Sequence, residues 1–182
     1  MAKQKSLRPH DVSVLLQLAI QPNSTFRELA SRVSLSLGET HNAAKRLELA
    51  GLFRMDERAL SLPETLEFLV SGVPYAFPPQ VGAPARGIPT ALAALPLLGD
   101  FPSGPVVVWA DRRGGSRGDT LVPLSPAVGD IWERNHQLYS LLTVVDALRV
   151  GRPKERERAR EHLELVLTSL RIQQEAPSAV SD

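Results

Sequence analysis

Proline placement constrains this chain more than any other feature. Eight of the 15 prolines fall between Val73 and Pro105. Each fixes φ, removes a backbone donor and pushes the residue before it out of the helical region. No long regular element is therefore predicted there. The same stretch carries Tyr75, Phe77, Ile88, Leu92, Leu95, Leu97 and Leu98, too many apolar residues for a free linker. It reads as an extended brace laid over a domain surface, with one short helical turn over 90–95. The 182 residues then divide into 1–72, a Pro-rich connecting segment 73–105, a third part 106–174 and a tail 175–182 expected to be disordered.

The first part has helical punctuation. Val12, Leu15, Leu16, Leu18 and Ala19 recur near a 3.6 period and end at Pro22-Asn23. Ser24 is read as the N-cap of a second helix containing Phe26, Leu29, Ala30 and Val33; with Arg27 three residues on, it makes no capping box. Ser36-Leu-Gly-Glu39 has the capping-box pattern and opens a third helix that Gly51 stops. Thr40, Ala43, Ala44, Leu47 and Ala50 share one face of it. Leu52–Met55 and Ala59–Ser61 read as two short strands around an Asp56-Glu57 turn. Ser61-Leu-Pro-Glu64 reads as a second capping box for a helix ending at Gly72.

Beyond the prolines, Val106–Trp109 and Thr120–Leu124 are expected to pair as a hairpin around the turn Asp111-Arg-Arg-Gly-Gly-Ser-Arg-Gly118. Helices follow over Ala127–Arg134, from an Asn135 cap to Val150, and from Pro153 to Ile172. The fold class is mainly α with a small β component (α+β).

A core can form, since 43% of residues are hydrophobic, and with 5% aromatics it must be built from Leu, Val and Ala. No cysteine is present, which excludes disulfides, Cys-ligated zinc, iron–sulfur clusters and thiol redox sensing. His10, His41, His136 and His162 show no metal-ligand or metalloprotease spacing, and no G-x-S-x-G occurs, so neither catalysis nor a cofactor is expected. No leader or membrane-spanning run is read, and a cytoplasmic location is expected. Net charge is +1 overall, but residues 1–60 hold 9 basic and 6 acidic side chains. An anionic partner would meet this first third.

The order helix, helix, helix, strand, turn, strand, helix is that of a winged helix-turn-helix. A narrow alanine stripe lets the third helix sit close to the second and leaves its opposite face for the major groove of double-stranded DNA. That face is expected to hold Leu37, Gly38, His41, Asn42, Lys45 and Arg46. Asn42 suits bidentate reading of adenine, His41 a purine N7 or a phosphate, and Lys45 and Arg46 phosphates or guanine. Ser24, Thr25 and Arg27, in the first turn of the second helix, suit backbone phosphates. The bland alternatives are a solvated basic face, a surface histidine, a solvated Arg112–Arg117 hairpin tip, a tethered Arg86, and a structural ion pair among Asp146, Arg149 and Arg152.

Phe26-Arg-Glu-Leu-Ala30, Ser36-Leu-Gly-Glu39, Lys45-Arg-Leu-Glu-Leu-Ala-Gly-Leu52 and Asp56-Glu-Arg58 together resemble the DNA-binding part of MarR-type transcription regulators. The resemblance covers about a third of the chain. It implies a homodimeric repressor, with Arg58 of the D-x-R wing reaching the minor groove; the wing here is short for that contact. Dimer contacts are expected from the apolar stripes of 137–150 and 153–172, and half-sites about 10 base pairs apart. Gly72-Val-Pro-Tyr-Ala-Phe-Pro78 and Val144–Arg152 resemble segments of antitoxin-type regulators. These imply an alternative, a protein-interaction module that neutralises a partner toxin such as a nucleotidyltransferase. An effector pocket near Tyr75, Phe77 and Trp109 is weighed against a plain apolar seam.

Overall fold

A computed structural model describes residues 6–94 and 106–175. The expectations on Leu95, Leu97, Leu98 and the rest of 95–105, and on the tail 176–182, lie outside the described residues. The protein is mostly helical with a small β component, as its sequence implies.

Helices α1 (Asp11–Ile20), α2 (Phe26–Val33) and α3 (Leu37–Leu49) come first. Strands β1 (Phe53–Arg54) and β2 (Ala59–Leu60) form an antiparallel ribbon, pairing Phe53 with Leu60 and Arg54 with Ala59. α4 (Leu62–Glu67) follows. The helix expected to end at Gly72 does not end there: a π turn over Phe68–Gly72 carries it into α5 (Val73–Ala76). Pro74 sits in the first turn of α5, where a missing N–H is tolerated. At Ser61 no backbone cap forms either. Its hydroxyl instead donates to the Glu64 carboxylate.

The Pro-rich segment departs most from expectation. Residues Val81–Thr90 form a single ten-residue strand, β3, despite Pro84 and Pro89. A register shift between Gly82 and Pro84 takes up the first proline as a bulge. A 3₁₀ turn over Ala91–Ala94 supplies the expected helical turn. β4 (Val107–Ala110) and β5 (Ser116–Leu121) are not a hairpin. Both run antiparallel to β3 and parallel to each other, closing a three-stranded barrel.

A barrel this small demands close backbone approach. Gly87 pairs with both Ala110 and Ser116, and a Cβ there would strike the Trp109 carbonyl. A Cβ on Gly118 would strike the Val106 carbonyl, which accepts the Asp119 N–H at 2.8 Å. Gly118→Ala should therefore cost about 1–3 kcal/mol of stability as overpacking, read by urea denaturation.

α6 (Val128–Arg134), α7 (His136–Val150) and α8 (Pro153–Glu175) complete the chain. Asn135 caps α7 as expected, its Oδ1 accepting from Leu138 N at 3.2 Å. Glu175 belongs to α8 rather than to the tail. α7 is wrapped by its own chain, with Leu138 and all of Leu141–Arg149 buried. This corrects the expectation that its apolar stripe serves a dimer: α1, α6, α8 and the 3₁₀ turn cover it. α8 lays Ala159, Leu163 and Leu167 inward.

α1 is likewise buried from Asp11 to Ala19. One core therefore runs from the first helices into the last. Asn135 Nδ2 pins the join, donating to Gln17 Oε1 at 2.7 Å and to the Arg32 carbonyl at 3.1 Å. The Asp146–Arg149 pair is structural and buried, at 2.7 Å, while Arg152 faces Glu155 instead. Trp109 lies in the core, edge-on to Tyr139, whereas Tyr75 is 85% exposed. The two do not share an effector pocket, so the seam reading stands at Trp109.

Candidate nucleic-acid interface

Capping chemistry sets the angle between α2 and α3. The N-cap of α2 is Thr25, not Ser24. Its hydroxyl accepts from Glu28 N at 3.2 Å while Glu28 Oε2 accepts from Thr25 N at 2.8 Å, a full capping box. The Thr25-Phe-Arg-Glu28 spacing carries that signal, one residue after Ser24. Ser34 then turns the chain in the left-handed region at φ 52. Ser36 caps α3 by accepting from Glu39 N at 3.2 Å. The reciprocal half of that box is not made, because Glu39 is engaged elsewhere.

The inner stripe of α3 is as the sequence implies. Thr40, Ala43, Ala44 and Leu47 are fully buried against α1 and α2; Ala50, just past the helix, is exposed. On the outer side Leu37, Gly38, Asn42 and Lys45 are exposed, and His41 is half-buried. The His41 ring meets Phe26 edge-on with centroids 4.9 Å apart. This contact sets the first turn of α2, with exposed Thr25 and Arg27, beside the middle of α3. Leu37, Gly38, His41, Asn42 and Lys45 thus gather on one side of α3, and exposed Arg27 follows Phe26 in the adjoining turn of α2. Thr25 joins them in place only, since its hydroxyl serves the cap.

Three expected contacts are corrected. Arg46 is buried, not on the outer face. Its Nε and Nη2 form a two-pronged bond to Asp11 at 2.8 and 2.6 Å, and Nη2 also reaches Glu39 at 2.6 Å. Hydrogen bonds and charge from Asp11, then Glu39, raise its already high pKa further. Ser24 is buried, and its carbonyl accepts from Arg58. Arg58 does not extend from the ribbon. At φ 49 its side chain folds back, donating Nε to the Pro22 carbonyl at 3.0 Å, with its guanidinium 5.5 Å from the Phe26 ring centre. A turn of four residues between β1 and β2 is too short to project it, so it latches the ribbon to the α1–α2 turn.

His10, Asp11 and Glu39 converge with ligand atoms within 4.8 Å, a spacing suited to a cation. The protein's own cation is already there, since Arg46 Nη2 touches both carboxylates. Hydrogen bonds from His10, then Arg46, hold the Glu39 carboxyl below its ordinary value. A carboxyl lowered in the folded state contributes stability that is complete above the ordinary carboxylate range and is lost as pH falls through the folded value. Glu39→Gln should accordingly flatten the acid limb of a stability–pH curve, as thermal melts across acid pH would show.

The Arg112–Arg117 loop is tied down at its centre. Arg113 bonds Asp111 at 2.7 Å, Asp130 at 2.9 Å and Glu133 at 3.3 Å, leaving Arg112 and Arg117 exposed. Arg86 is a tether, as expected, donating to the Gly114 carbonyl at 2.7 Å. Among the described residues no helix is long and apolar enough to cross a membrane. Comparison with family models, with curated proteins and with solved structures finds no match to this chain.

Proposed function

We propose that the first part of the chain is a winged helix-turn-helix and that the protein is a sequence-specific, DNA-binding transcription regulator acting as a homodimeric repressor. The observation that carries this reading is the division of α3 into two sides. Its alanine stripe is sealed against α1 and α2, while Leu37, Gly38, Asn42 and Lys45 stay exposed. A helix sunk this way can enter a groove about 12 Å wide, and Asn and Lys are side chains suited to base edges and phosphates there. The second copy would meet the outer side of α8, where Leu165 and Ile172, two turns apart, are 71% and 62% exposed.

Selection from a random duplex library, followed by fluorescence anisotropy on the enriched sequence, tests the reading. Lys45→Glu should weaken binding at least tenfold and reduce the salt slope by about 1. Asn42→Ala should cost about 1–3 kcal/mol on the selected sequence and less on scrambled DNA. Both side chains are exposed and stand apart from the buried network, so folding is expected to be unaffected. A library that yields no enriched sequence would count against the proposal.

A further inference from the structure

Four arginines surround the turn between β4 and β5, and the carboxylates near them are unevenly shared. Arg113 takes three, from Asp111, Asp130 and Glu133. Arg86, Arg112 and Arg117 are exposed, and among the described residues none of them forms an ion pair. The register of β3 and β5 sets Arg86 directly opposite Arg117. Directly opposed residues of an antiparallel pair share one face, with Cβ atoms about 4.5–5.5 Å apart, and like charges placed so destabilise the sheet. Asp119 stands on the same face, opposite Pro84. Arg86 leans the other way: Gly87 pairs with Ser116, and beyond it the Gly114 carbonyl accepts from Arg86 Nε at 2.7 Å. This bond holds the guanidinium in place and leaves both of its Nη groups without a partner among the described residues.

We infer that Arg86, Arg112 and Arg117 make a second contact with duplex DNA, to its phosphate backbone and without reading its sequence. Guanidinium groups donate two parallel bonds to a phosphate, and a guanidinium already held in place loses less freedom on doing so. A cross-strand arginine pair costs stability in the free chain, and phosphate charge laid across it relieves that cost. Gly114 and Gly115 put no side chain between the three arginines, so a backbone can approach closely. The contact takes the duplex as its ligand from the reading of α3, but it does not need α3 to enter a groove. Guanidinium tips make it, so the laddered amides of the barrel should move little when DNA binds.

The test is fluorescence anisotropy of a mixed-sequence duplex with the full chain across a salt series, beside thermal melts of each variant. Arg86 also tethers the turn, so the decisive variant is Arg117→Glu, which sets opposite charges face to face. It should melt higher than the parent. It should nevertheless bind the duplex about tenfold more weakly, with the salt slope reduced by about 2, because Arg117 is lost and Arg86 is neutralised. Arg117→Gln and Arg112→Gln should each lower the slope by about 1. The loss in Arg117→Glu should be of the same size in a chain that also carries Lys45→Glu. Loss with Arg117→Glu but none with Lys45→Glu would uphold this contact and sink the reading of α3. A parent chain that does not bind the duplex, or Arg117→Glu and Arg117→Gln chains that keep the parent's affinity and slope, would overturn the inference.

Discussion

Asp146→Asn should destabilise the protein by about 3–5 kcal/mol, the scale for breaking one partner out of a buried charge pair. Asp146 is 1% exposed and receives Thr90 Oγ1 at 2.8 Å, Trp109 Nε1 at 2.7 Å and Arg149 Nη1 at 2.7 Å. Burial pushes its carboxyl up, and Arg149, Thr90 and Trp109 oppose this. Arg149 is itself 3% exposed and spends its remaining donors on the carbonyls of Phe77, Pro78 and Val122. One ion pair thus fastens the Pro-rich segment and the barrel to α7. Asparagine strands a buried guanidinium, and its single acceptor oxygen can serve either Arg149 or the Thr90 and Trp109 donors, leaving its NH2 facing donors on the other side. Urea denaturation followed by circular dichroism would read the loss. A change under about 1 kcal/mol would mean that the network does not hold these parts together.

The second large effect is expected at Arg46. Arg46→Met should cost about 3 kcal/mol, because Asp11, 1% exposed, would lose a two-pronged partner. Lysine should rescue little, since it cannot reproduce the planar fork. The double variant Asp11→Leu/Arg46→Met should recover much of the loss, as apolar replacement of a whole buried pair often does. Guanidinium denaturation of the three variants checks all of this. The result also bears on the DNA reading: an Arg46 variant that loses DNA affinity would report misfolding, whereas Lys45, exposed on the same helix, would report contact.

How much of the structure is legible in the sequence follows from the range of the interactions involved. The Ala43-Ala44-Leu47 stripe, the Asn135 cap and the start of α8 at Pro153 are set by neighbours within one or two turns, and all are visible as spacing. Arg46 is not legible in this way, because its partner Asp11 lies 35 residues away. On a helical wheel Arg46 borders the outer side, and nothing local marks it as buried. Arg58 escapes for a similar reason: its acceptors belong to the α1–α2 turn. The barrel is hidden by another cause. Proline density argues against a strand only if every N–H must enter a ladder, and β3 escapes that demand through its bulge at Gly82–Pro84. Gly87, Gly114 and Gly118 do mark the close approaches, but their pairing is non-local. Of the candidate site, the members that need only exposure stand together, while Ser24, Arg46 and Arg58 serve the fold instead.

The central claim is that the outer side of α3 is the surface offered to a DNA duplex. Titration of a mixed-sequence 20-base-pair duplex into ¹⁵N-labelled protein, followed by amide chemical shifts, tests it without the need for a defined operator. The account predicts salt-sensitive shifts concentrated at Arg27, Leu37, Gly38, His41, Asn42 and Lys45. Shifts confined to the Arg112–Arg117 loop, or none at low salt, would contradict it.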